Sequence, residues 1–175
     1  MHGPLHGFLS DDHARLDALL QRAADDAAAG IDSAAYAAFR AGLLKHIGME
    51  EKILLPAAQR ARGGEPLPIA AKLRLDHGAL AALLVPHPTP AVVAALRAIL
   101  AAHNPIEEDP GGVYDTCEQL AGAERDAILA RLRAAPEVPL APHVDGPRVF
   151  ASARRALERA GYHLELERTE QREDG

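Results

Sequence analysis

Two short segments combine residue types that could do chemistry. His46-Ile-Gly-Met-Glu50 and His103-Asn-Pro-Ile-Glu107 each set an imidazole four residues before a carboxylate. In a helix that spacing puts both groups on one face. Leu43 and Ile53 flank the first pair, and Ile99 and Ile106 flank the second, so both pairs fall on apolar stripes. A carboxylate there costs several kcal/mol unless something compensates it. His13 and His77 stand singly on similar stripes. One cause accounts for all six residues: a pair of metal ions in the centre of a helical bundle. Four imidazoles and two carboxylates suit borderline metals such as iron, manganese or zinc. If Glu50 and Glu107 both bridge, each ion receives two oxygens and two histidine nitrogens. Four protein donors leave positions open, and open positions mean reactivity toward small molecules. Iron suits best, being redox-active and tolerant of higher coordination.

Helices must position these groups. The spacing predicts helix A from about residue 9 or 10, with Ser10 as N-cap and Leu9, His13, Leu16 and Leu20 on one face. Gly30 is its expected stop. Helix B is expected over 33–62, with Tyr36, Phe39, Leu43, His46, Glu50, Ile53 and Ala57 in line and Pro56 as a kink. Gly63 to Pro68 is a break. Helix C covers about 69–85, with Leu73, His77, Leu80 and Leu84 on one side. Helix D runs to about 109 and carries Pro105, whose interior position normally costs around 3 kcal/mol and suggests a bent turn. After Pro110-Gly111-Gly112, residues 113–134 read as helical, either a continuation of D or a fifth helix. A proline-punctuated linker over 136–142 leads to a short basic helix over 148–160, capped by Gly161. Residues 162–167 could be extended, and 169–175 are polar and frayed.

Residues 9–20 align with 73–84, matching Asp12-His13 to Asp76-His77, and each copy precedes a His-x-x-x-Glu helix. This repeat predicts two-fold pseudo-symmetry, each half supplying half of a site. Heights agree for the first half: at 1.5 Å per residue, His13 lies about 24 Å below the A/B turn, and His46 and Glu50 about 20 and 26 Å below it. The second half fits less well. The expected fold is all-α: an antiparallel up-down four-helix bundle over 1–135, with a linker and short C-terminal appendage over 136–175.

The chain has 175 residues, enough for one domain with a substantial core. Aromatic residues are only 3%, and alanine and leucine dominate, which favours close-packed helices. A net charge of −6 gives a nucleic-acid partner no electrostatic footing. The single cysteine, Cys117, excludes an internal disulfide. No signal peptide is apparent, and no apolar run approaches the ~20 residues of a membrane span. A cytoplasmic location is expected. No nucleophile–base constellation indicates an enzyme, and no feature names a substrate.

Other polar residues read more plainly. His6 is seven residues before His13 and about 10 Å away along a helix axis, a gate or surface position. His2, His87, His143 and His163 are expected in solvent. Asp12 and Asp76 could orient a ligand imidazole, or simply favour a helix start through the dipole. Glu51 and Glu108 are expected to be solvated, Cys117 to be a small buried residue, and Tyr114 to serve packing.

The Glu-x-x-His order of ferritin-like di-iron bundles is reversed here, and the zinc-protease pattern His-Glu-x-x-His is absent. The four pieces Asp12-His13, His46-Ile-Gly-Met-Glu50-Glu51-Lys-Ile-Leu-Leu-Pro56, Asp76-His77 and His103-Asn-Pro-Ile-Glu107-Glu108, in this order, resemble the hemerythrin-like, or HHE cation-binding, family over about residues 5–120. The resemblance implies an antiparallel four-helix bundle holding two non-haem iron ions, oxo- or hydroxo-bridged. It implies ligation by His13, His46, Glu50, His77, His103 and a carboxylate on the fourth helix, and chemistry with O2, nitric oxide or peroxide, or a role in iron homeostasis. Oxygen-carrying hemerythrins have a fifth histidine where this chain has Ala81, which points to sensing or stress response rather than transport. The family spacing would choose Glu108 as the fourth-helix carboxylate, whereas the geometry of helix B chooses Glu107. Two alternatives stand beside a di-iron protein: an iron-responsive or iron-donating module using the tail for a homodimer or protein partner, and a metal-free interaction domain.

Overall fold

The computed structural model describes residues 2–24 and 30–166, and among these every regular element is a helix. The chain is all-α, as its periodicity indicates. Helix α1 spans Pro4–Ala24, α2 Ser33–Met49, α3 Leu55–Ala61, α4 Ala70–Leu83, α5 Pro90–Glu108, α6 Val113–Ala121, α7 Arg125–Arg133 and α8 Pro147–Ala160.

Helix α1 starts six residues before Ser10. Pro4 takes its first position, where a missing N–H costs nothing. The cap comes from elsewhere: Glu118 Oε2 of α6 accepts from the backbone N–H of Leu5 at 2.8 Å and of His6 at 3.2 Å. The expected stop at Gly30 falls partly outside the described residues, although Gly30 itself has φ 88°. Asp32 caps α2, its side chain accepting from Ala34 and Ala35. Thr89 caps α5, accepting from Val92 N.

The long second helix is not uniform. A π-helical turn, Glu50–Leu54, joins α2 to α3. The Leu55 N–H reaches back to Glu50 O, one residue further than in an α-helix. Pro56 thereby falls in the first turn of α3, where it needs no donor. The expected kink is thus a widened turn ahead of the proline. At Pro105, by contrast, α5 continues without interruption.

The core has two apolar halves. One contains Leu16, Leu20, Tyr36, Phe39, Leu43, Leu80, Leu83, Val92, Leu96 and Ile99. The other contains Leu5, Leu9, Met49, Leu54, Leu73, Val113, Tyr114 and Leu132. Helices α1 and α4 therefore run from the second half to the first, and α2 and α5 run back. Residues 113–134 form two helices, α6 and α7, separated by a short 3-10 turn, rather than a continuation of α5. The tail helix α8 adds Ala153, Leu157 and Ala160 to the first half. Residues 162–166 form no strand; 167 and the frayed segment expected over 169–175 lie outside the described residues.

Candidate metal centre

The two apolar halves meet at a polar layer. His13 lies between Leu9 and Leu16, His46 between Leu43 and Met49, His77 between Leu73 and Leu80, and His103 after Ile99. The periodicity that buries the leucines thus carries the four histidines inward at one level. All six candidate residues are at most 6% exposed.

Their donor atoms converge as two overlapping groups. His13, His46, Glu50 and Glu107 form one; Glu50, His77, His103 and Glu107 form the other. Within each group the chosen atoms lie within 4.8 Å of one another. The four imidazoles turn Nε2 inward. His46 Nε2 is 3.3 Å from Glu50 Oε1, and His77 Nε2 is 3.2 Å from Glu50 Oε2. His103 Nε2 is 3.2 Å from Glu107 Oε1, and His13 Nε2 is 3.5 Å from Glu107 Oε2. Each glutamate therefore presents one oxygen to each pair of histidines. Glu107, not Glu108, occupies the centre.

Outside the layer, each Nδ1 is bonded to a second carboxylate. Asp12 accepts from His46 at 2.8 Å, Asp76 from His103 at 3.1 Å, Glu51 from His77 at 2.8 Å, and Glu108 from His13. Such bonds fix the ring orientation, leave the Nε2 lone pair facing inward and raise its basicity. Glu51 and Glu108, expected in solvent, are therefore clamps on imidazoles. Asp12 is no helix-start residue, since α1 begins eight residues earlier.

The charges fit a cation. Burial opposes charge on His46, but Glu50 and Asp12 outweigh it and lift its pKa to about 10. His103 reaches about 10 against burial through Asp76 and Glu107. Burial works against ionised Glu50, yet His46 and His77 hold its carboxyl well below the usual range. Burial and the neighbouring Glu50 push Glu107 upward. Two carboxylates at such proximity repel unless positive charge lies between them. Glu50 Oε2 and His77 Nε2 are buried, and neither makes a hydrogen bond. Two buried ligand atoms that face each other at 3.2 Å, neither making a hydrogen bond, are what a metal ion between them satisfies. The donor set therefore fits an ion in each group.

Tyr114 was expected to pack, and it does more. Its hydroxyl donates to Glu50 Oε1 at 2.6 Å and lies 3.2 Å from Glu107 Oε2. It also lies 3.1 Å from His13 Nε2 and 3.2 Å from His46 Nε2. Burial and the two glutamates push its pKa well above the usual phenol value. The Pro110-Gly111-Gly112 break makes this possible. Gly111 has φ 81°, and a Cβ on Gly112 would meet the backbone oxygens of Ile106, Glu107 and Asp109 at 2.8 Å. The chain turns back there and α6 brings Tyr114 over the layer. Cys117, one turn later, is buried, and burial lifts its thiol pKa to about 12.

His6, read as a gate or surface residue, is 3% exposed and its ring lies edge-on to Tyr114 at 5.8 Å. Sequence spacing carried the six central donors. It missed the outer carboxylates and the phenol, whose partners lie on other helices. Comparison of the chain with family models, with curated proteins and with solved structures returns no match. Among the described residues, no helix is long and apolar enough to cross a membrane.

Proposed function

We propose that this chain is a hemerythrin-like protein whose α1, α2–α3, α4 and α5 form an antiparallel four-helix bundle around two non-haem iron ions. The observation that supports this best is the double set of donors, four inward Nε2 atoms and two shared carboxylates, each imidazole fixed from behind by a second carboxylate. His13 and His46 would hold one ion, His77 and His103 the other, and Glu50 and Glu107 would serve both. Iron held there with open positions supplies redox chemistry toward O2, nitric oxide or peroxide. The residues bind, orient and exclude bulk water; the Tyr114 hydroxyl holds a proton beside Glu50 Oε1. Tyr114 contacts the His13–His46 side, which makes the two positions chemically unequal. Ala81, standing where oxygen carriers have a fifth histidine, favours sensing or stress response over oxygen transport.

Reconstitution with ferrous iron under argon, metal analysis and admission of air test the reading. At least two irons per chain and a new ligand-to-metal absorption band are expected. A chain that stays colourless, or takes up zinc to two per chain and refuses iron, refutes it.

A second reading, an iron-responsive module signalling through its tail, draws on one chain of contacts. Lys72 Nζ bonds to Asp76 at 2.5 Å and to Ala160 O at 3.0 Å, and lies 4.8 Å from the Tyr162 ring centre. Asp76 in turn holds His103. The end of α8 is thus two side chains away from a candidate ligand. Under this reading, iron loading changes protease protection of residues 147–166; equal protection with and without iron refutes it.

A further inference from the structure

A second cluster of metal-ligating side chains lies at the opposite end of α1 from its Ala24 terminus, outside the buried layer. His2, just before the helix, and His6, in its first turn, both direct Nδ1 at Asp115 of α6. His6 Nδ1 is 2.8 Å and His2 Nδ1 3.4 Å from the same oxygen, Asp115 Oδ1. The other oxygen is taken by the Gly111 N–H at 2.9 Å. The two imidazoles stack, with centroids 3.8 Å apart and planes inclined by 27°. Exposure grades outward: the His6 side chain is 4% exposed, Asp115 23% and His2 53%.

A carboxylate oxygen flanked by two imidazole nitrogens is also a donor set for one divalent cation, which neutral imidazoles bind through a ring-nitrogen lone pair. Donors at bonds of about 2.1 Å from one ion lie about 3.0–3.4 Å apart, and the observed spacings fall in or beside that range. Two nitrogens and one oxygen suit borderline ions, Zn2+ and Fe2+ among them, better than Mg2+ or Ca2+. The exposed side at His2 admits hydrated ions and leaves room for water ligands.

We propose that His2, His6 and Asp115 form a surface site for one divalent transition-metal ion, separate from the buried donors and independent of what those donors hold. Asp115 adjoins Tyr114 in sequence, and the His6 ring contacts the Tyr114 ring. The site therefore sits on the outer side of the wall whose inner side faces the buried layer.

The test is calorimetric titration of the full chain with Zn2+ at pH 7.5, comparing parent, His2→Ala, Asp115→Asn and His163→Ala. The parent is expected to bind one more Zn2+ than His2→Ala, or to bind its weakest Zn2+ at least about tenfold more tightly, since even outer-shell changes cost that much. Asp115→Asn should show the same loss, and His163→Ala none. The exposed His2 is no folding element, so its variant remains informative if Asp115→Asn melts early. Equal Zn2+ number and affinity in parent and His2→Ala overturns the site and leaves His6–Asp115 as a plain tie between α1 and α6.

Discussion

Replacing Asp76 by asparagine removes a charge while keeping an acceptor oxygen near His103 Nδ1. Asp76 is fully buried, and its carboxylate bonds to both His103 and Lys72. The ring keeps its orientation, but loses the negative charge that makes Nε2 a stronger donor. Such outer carboxylates are worth roughly 10- to 100-fold in metal affinity, or about 1.4–2.7 kcal/mol. The lost pairing with Lys72 adds little, because that side chain is 37% exposed. Asp12→Asn should act equally on His46, since Asp12 occupies the matching place in the first half. Competition with a coloured chelator measures the effect. One ion per chain should be released at lower chelator concentration in each single variant, and both ions in the double variant. The exposed Asp17→Asn should leave release unchanged. Release from both outer-carboxylate variants at the parental midpoint would refute the claim that these groups tune bound metal.

Further outcomes follow from the same geometry. Tyr114→Phe in the metal-free chain removes a hydrogen bond to an ionised carboxylate and should cost about 1.5–3 kcal/mol in urea unfolding; an unchanged midpoint would mean the hydroxyl is not on Glu50. In the metal-free chain His46 and His103 have pKa values of about 10, above the 6.5 of an unfolded histidine. Their stabilisation is complete below pH 6.5 and lost as pH rises through 10, so thermal melts should fall between pH 7 and 10; a rise would contradict the pairing. Stripping metal should lower the melting temperature of the parent; Glu50→Ala should lower melting temperature and metal content together, whereas a metal-free interaction domain predicts a neutral or stabilising effect. Gly112→Ala should displace α6, with loss of metal affinity and intact helix content by circular dichroism.

The legible part of the centre was the part that one helix encodes. His46 with Glu50 and His103 with Glu107 were readable because four residues is nearly one helical turn. The level of His13 followed from counting residues back from the A/B turn, whereas the same count fitted less well for His77. The clamps of Glu51 on His77 and Glu108 on His13 were not readable, because they join helices whose rotation no local rule supplies. Tyr114 escaped because its place depends on the direction in which the Pro110-Gly111-Gly112 turn returns the chain. His6 escaped because helix α1 is capped by Glu118, more than a hundred residues away, rather than by Ser10. Pro56 announced an irregularity but not its form, since a kink and a π turn both relieve a missing donor.

The clamps have a topological consequence. Asp12 and Asp76 serve histidines of their own half of the chain, whereas Glu51 and Glu108 reach across to the opposite half. The halves are thereby interlocked. A fragment ending in the 63–68 loop would keep its own imidazoles and lose the carboxylate that aims His13, while its counterpart would lose the one that aims His77. Fragments mixed in solution must recombine before either can present a complete set of aligned nitrogens.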